Sequence, residues 1–153
     1  MRKEKENTNK KKSRVRKTKG RSMTPIMLKS AISLAKRAGA TALFVYGDIS
    51  SKLGLLMTEK PPFKVIIVSS KPEIVAAGYK RFGHSIKLPH IPLTRMGQIK
   101  ISVIMAASEK IIKPRDTIVF LTGRPNLGVL DSIVIIDVAR EFSLLASREM
   151  RRF

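Results

Sequence analysis

The sequence predicts an α/β fold: a mostly parallel sheet with helices on both faces, preceded by a basic arm. Three observations carry this prediction. The short apolar runs Ala42–Tyr46, Val65–Val68 and Asp116–Leu121 have the length and Val/Ile/Leu/Phe content of strands buried on both faces. Segments with helical periodicity and readable ends alternate with them. Residues 1–21 are different in kind: after Met1, Val15 is their only large apolar side chain. Such a segment buries too little area to offset its ordering entropy, so it is expected to be a disordered arm.

The chain has 153 residues, enough for one domain plus extensions, and the expected division is arm 1–21, α/β domain 22–138 and helical tail 139–153. An aromatic share of only 5% within a hydrophobic share of 43% means an aliphatic core.

Within the domain, Thr24 and Pro25 read as N-cap and first residue of a helix closed by Gly39. Ala42–Tyr46 is the first strand, followed by the loop Gly47-Asp48-Ile49-Ser50-Ser51 and a short helix through Met57. Pro61-Pro62 break the chain before the second strand, Val65–Val68. Ser70 and Glu73 have capping-box spacing, which predicts a helix from there to about Phe82, stopped by Gly83. His84–Leu88 is more polar and reads as a third strand at an edge. Pro89 and Pro92 frame a loop. Thr94 then caps the longest helix, with Ile99, Val103, Ala106 and Ala107 at helical spacing and an end before Pro114. The fourth strand is Asp116–Leu121, the turn Thr122–Gly128, and the fifth strand Ile133–Ile136. A turn this short cannot make a parallel crossover, so the fifth strand runs antiparallel to the fourth if they are neighbours.

Net charge is +20, of which the arm supplies +9 from eleven Lys and Arg against Glu4 and Glu6. Such a field attracts polyanions. Lys10, Lys11, Lys12, Arg14, Arg16, Lys17, Lys19 and Arg21 are the candidate contacts to a nucleic-acid backbone; with no aromatic interleaved, base stacking is not expected there. A solubilising or targeting tail would have the same composition. The absence of Cys excludes disulfides and thiolate metal sites, and His84 and His90 are too few for a His-rich one, so no metal is expected. No apolar run is long enough for a membrane span and the start lacks a secretory h-region, so a cytoplasmic location is expected.

In open α/β sheets ligands sit at the carboxyl ends of the strands. Three loops are expected there: Gly47–Ser51, Ser69–Lys71 and Thr122–Gly128. Each sets Gly, Ser or Thr beside a cation, and two precede helices, as in a phosphate site. The candidate ligand residues are therefore Gly47, Asp48, Ser50, Ser51, Ser69, Ser70, Thr122, Gly123 and Arg124. The same residue types also cap helices and turn the chain. Gly123 and Gly128 have P-loop glycine spacing, but Val129-Leu130 stand where Lys and Ser/Thr are required, and no Gly-x-Gly-x-x-Gly occurs. No nucleophile–base–acid set is readable, so neither a catalytic residue nor a cofactor is assigned.

Three segments carry a family resemblance: Ala42-Leu43-Phe44-Val45-Tyr46-Gly47-Asp48, Pro92-Leu93-Thr94-Arg95-Met96-Gly97-Gln98-Ile99-Lys100, and Asp116–Gly123 continuing into Leu130-Asp131-Ser132-Ile133-Val134. Across Thr24–Val138 the chain resembles the carboxy-terminal domain of pyruvate kinase, and more closely the related amino-terminal domain of archaeal-type diadenylate cyclases. The resemblance implies a three-layer α/β/α fold with five strands in the order 3-2-1-4-5 and strand 5 antiparallel. It also implies a regulatory site for a phosphorylated ligand at Gly47, Asp48, Ser50 and Ser51 with Thr122, Gly123 and Arg124. The first loop departs from the family's Thr/Ser-Gly-Arg-Thr pattern by carrying Asp48. The Asp-Gly-Ala and Arg-His-Arg motifs of the cyclase domain do not occur. The function expected is thus a non-catalytic sensor of a phosphorylated metabolite or nucleotide, standing alone or beside a diadenylate cyclase. The alternative is a protein that binds RNA or DNA through its arm. The helix from Thr94 offers a face for homo-oligomer formation.

Overall fold

The computed structural model describes residues 23–49 and 60–150. The arm, the short helix through Met57, and Ser50 and Ser51 lie outside these residues. The elements are helix α1 (residues 23–37), β1 (Ala42–Tyr46), a 3-10 turn (Gly47–Ile49), β2 (Lys64–Ser69), α2 (Pro72–Phe82), β3 (Ser85–Lys87), α3 (Arg95–Ser108), β4 (Thr117–Arg124), a second 3-10 turn (Pro125–Leu127), β5 (Val129–Asp137) and α4 (Val138–Met150).

The five strands form one sheet in the order β3-β2-β1-β4-β5. β1 runs parallel to both β2 and β4, β2 and β3 are parallel, and β4 and β5 are antiparallel. The expected order and the expected antiparallel fifth strand are both observed. All five residues of β1 are buried, because this strand sits in the middle of the sheet with a layer on each face.

Register assigns the faces. Val45 lies opposite Ile67, while Phe44 lies opposite Ile66 and Phe120. Neighbouring residues in a strand point to opposite faces. α2 covers the Ile67 face, where Gly78 comes so close that an added Cβ would lie 2.7 Å from Ile67 Cβ. α3 covers the other face, where Gln98 meets Thr122, two residues on from Phe120. The Phe44 and Phe120 rings stack on that face with centroids 5.4 Å apart. α1 adds Leu28, Ala31 and Ala35 to the core, and the remaining core is aliphatic apart from Tyr46 and these two rings.

Four local expectations are corrected. α1 is already helical at Met23, so Thr24 and Pro25 fall inside its first described turn. The capping box of Ser70 and Glu73 does not form: Pro72 pins the first helical residue, which makes Lys71 the N-cap and leaves Ser70 one position too early. α3, with fourteen residues, is not longer than the helix over residues 23–37. The fourth and fifth strands extend far into the expected loop, since the antiparallel ladder continues through Arg124 opposite Val129. Only Pro125–Leu127 and Gly128, at φ 63°, make the turn. Thr94 does cap its helix, accepting from Gly97 N–H at 3.0 Å. The ladder slips by one residue after Thr122, which leaves Asp131 in a β-bulge.

Candidate ligand site at the carboxyl edge

β1 ends at Tyr46, and the chain folds tightly over the end of β2. Gly47 permits this turn: a Cβ there would sit 2.9 Å from Ile74 Cγ2 and 3.0 Å from Ile67 Cγ2. The turn sets Asp48 above Ser69 and Ser70. Asp48 Oδ1 accepts from the Ser69 hydroxyl and from Ser70 N–H at 3.1 Å. Asp48 Oδ2 accepts from the Ser70 hydroxyl at 2.6 Å and the Tyr46 hydroxyl at 3.0 Å. Ser69 Oγ in turn accepts from Lys71 N–H at 3.0 Å, which holds the entry to α2.

This knot decides the charge of its members. Burial alone would raise the Asp48 carboxyl, but the hydrogen bonds from Ser69, Ser70 and Tyr46 outweigh it and the carboxyl titrates below its ordinary value. The Tyr46 phenol is raised, first by burial and then by the Asp48 charge beside it. Asp48 is therefore a fixed anion with four donors on it. It acts as an anchor for the seryl and tyrosyl groups, whose oxygens keep lone pairs for a visitor.

Beside the knot lies a cavity of about 400 Å³. Tyr46, Asp48, Ser70 and Lys71 form its polar side, and the loop Leu88–Leu93 with Pro125 forms a mainly apolar wall that includes His90. It is of the size of a small-molecule site.

The expected site residues divide into two groups. Gly47, Asp48, Ser69 and Ser70 meet as described. Thr122 and Gly123 instead belong to the seam between β4 and α3. The Thr122 hydroxyl donates to Gln98 Oε1, and Gln98 Nε2 donates to Gly123 O at 3.2 Å. Thr122 and Gln98 are fully buried, so neither faces the cavity. Arg124 is exposed at the end of β4, and its charge helps to lower Asp131. Asp131 is held chiefly by Arg95, which grips both carboxylate oxygens, with Nε at 2.8 Å. Sequence reasoning passed over Tyr46 and Gln98. Tyr46 had a signal, as the residue two before Asp48 at a strand end. For Gln98 the signal was its spacing from Ser102 on the inward side of α3. Among the described residues no group of three or more His, Asp or Glu could hold a metal ion, and no helix is long and apolar enough to cross a membrane.

A three-layer sheet with a polar knot and a ligand-sized cavity at its carboxyl edge has the build of a ligand-binding α/β domain. Residues 25–145 match the family model described as "Probable sensor domain DacZ_P", and the chain belongs to that family. Among solved structures it is similar to a pyruvate kinase from Cryptosporidium parvum, with a TM-score of 0.61 and 16% identity. That match covers 76% of this chain and 23% of the kinase chain, and it speaks for the fold alone. No curated protein matches the sequence. The resemblance drawn from the three sequence segments agrees with these matches in its coarser part, a sensor domain with a pyruvate-kinase-like fold.

Proposed function

We propose that this sensor domain binds a nucleotide or another phosphorylated metabolite in its carboxyl-edge cavity and signals occupancy to a diadenylate cyclase. The observation that carries this reading is the joining, in one cavity, of the Asp48 knot, the Lys71 cation and an apolar wall. Lys71 stands at the start of α2, where backbone N–H groups and the helix dipole favour an anion. Pro89, Ile91 and Pro92 offer apolar surface to a sugar or base. Asp48 keeps its charge under its four donors, so in this reading the phosphate sits toward Lys71 and the start of α2, away from that carboxylate. Ile91 and Leu127, 59% and 58% exposed near the same edge, give a partner apolar surface close to the bound ligand.

Thermal-shift titration of the full chain with ATP, cyclic di-AMP, fructose bisphosphate and inorganic phosphate tests this. A ligand at about 100 times its Kd stabilises the folded state by about 2.7 kcal/mol. A saturable rise in Tm for one of them is expected, lost in Ser70→Ala and Lys71→Glu. A flat response to all four at millimolar concentration rejects the reading.

A further inference from the structure

β5 reads Val-Leu-Asp-Ser-Ile-Val-Ile-Ile-Asp, with four β-branched residues in succession from Ile133 to Ile136 and no Lys, Arg or Pro. Such a segment favours the extended, paired state. It is nine residues long and stands at the end of the sheet order, with β4 on one side. Among the described residues no strand lies on its other side. Every second residue there turns its backbone N–H and C=O outward.

The two edges of the sheet differ. β3, at the opposite edge, is three residues long, ends in the exposed Lys87, and is followed by Pro89 two residues on. A short strand, a Lys and a Pro are guards against pairing with another chain. β5 has none of them over Ser132–Asp137, and its bulge falls at Asp131, before that stretch. Its two acids are engaged elsewhere. Asp131 is gripped by Arg95, and Asp137 accepts from Arg140 N–H at 3.2 Å at the start of α4. Ile133 and Ile135 lie opposite Leu121 and Val119, so they share one face of the sheet, and Ile135 is 51% exposed.

The rest of the chain offers this edge a poor match. Residues 50–59 are tied at both ends to the crossover from β1 to β2, and residues 151–153 are too few for a strand. Residues 1–22 hold eleven Lys and Arg and, after Met1, one large apolar side chain, Val15. They have no alternating apolar row to set beside Ile133 and Ile135. The strand itself does match: antiparallel pairing turns one row of donors and acceptors onto the same row in a second copy, with two-fold symmetry.

We propose that β5 is a dimerisation edge, through which two copies of this chain pair antiparallel into one continuous sheet of ten strands, five from each. Ile133 and Ile135 of both copies then form one apolar band. The contact runs through β5 and not through the α3 helix.

Sedimentation velocity on the full chain, at rising protein and salt concentrations, tests this. A dimer is expected, with a Tm that rises with protein concentration. Each chain carries a net charge of +20, so the dimer should tighten as salt rises. Association through a bound polyanion would loosen instead, and that result overturns the proposal. Ile135→Lys, at an exposed position, should weaken the dimer about tenfold, since the loss counts once in each copy. The chain has no Cys, so Ile133→Cys, Val134→Cys and Ile135→Cys read the contact independently. At least one should give a covalent dimer on oxidation, because residues opposed across an antiparallel pair lie within disulfide reach. Ile104→Cys, exposed on α3, should not. A monomeric wild type overturns the dimer, and slow exchange of the β5 amides in that monomer would assign the edge to residues 1–22. A dimer that keeps its affinity in Ile135→Lys, or that cross-links through Ile104→Cys and not through β5, places the contact elsewhere and overturns it as well.

Discussion

Asp48 shows how one carboxylate organises an edge of the sheet. It accepts from four donors on three residues at two strand ends. Asp48→Asn keeps the shape but replaces one acceptor oxygen by a donor. It should destabilise the domain by about 1–2 kcal/mol in urea titration, a figure moderated by partial exposure. The sign with pH follows from the lowered carboxyl. Its contribution is complete above the unfolded value, about pH 4, and disappears as pH falls through the lower folded value. The melting temperature of the wild type should fall through that acid range, and that of Asp48→Asn should fall less steeply. Tyr46 works the other way: its raised phenol stabilises below about pH 10 and loses that contribution as pH climbs further. At Gly78 the constraint is steric, since a Cβ would meet Ile67 Cβ at 2.7 Å, in the body of the neighbouring side chain and not at a movable tip. Gly78→Ala should cost about 1–3 kcal/mol by the same denaturation measurement. Asp48 was legible in the sequence as a strand-end residue. Its partners were not, because they depend on Tyr46 and Val68 lying side by side in the β1–β2 register.

The elements themselves were readable wherever apolar periodicity and a Gly or Pro boundary coincided, as in β1, β2, α2 and α3. The β4–β5 hairpin was read too short. Thr122, Gly123 and Ser132 have turn-like chemistry, yet they pair across the sheet because the ladder and the buried Thr122–Gln98 bond outweigh local preference. The capping box failed because Pro72 shifts the N-cap to Lys71, while the Ser70 hydroxyl is turned to Asp48 as a donor. The α3–β4 seam makes its own prediction. Thr122→Val should leave Gln98 Oε1 buried without its donor and cost about 1–3 kcal/mol. Pairing it with Gln98→Leu should recover part of that loss in a double-mutant cycle, because both polar partners then leave together. No recovery would mean that the Gln98 bond to Gly123 O matters more than the one to Thr122.

At the scale of the molecule, the sheet has a cavity at each end. The carboxyl end is a closed network with a small cavity, and the amino end is a wider cleft lined by cations. β5 closes the β4 side of the sheet and buries Leu130 and Ile136 against it. Removing residues 129–153 would expose the β4 ladder beside Phe120 and Leu121, both fully buried in the intact chain. The truncated chain should be insoluble or aggregated by light scattering, since an unpaired apolar strand invites pairing with other copies. The layer order of the fold was legible from alternation and loop length. The position of the wide cleft was not: its described lining comes from three separate stretches, 40–41, 60–65 and 81–84, that meet only once the sheet has formed.

The contact between Tyr46 and Asp48 has an optical consequence. The chain contains no Trp and two Tyr, so its near-ultraviolet spectrum is tyrosine's. Tyr79 projects from α2 at 65% exposure, whereas Tyr46 lines the carboxyl-edge cavity with its phenol bonded to a carboxylate. An occupant that rearranges that bond alters the emission and near-ultraviolet dichroism of one identified ring. The molecule thus contains its own reporter for the carboxyl-edge cavity, and Tyr46→Phe switches that reporter off while keeping the ring.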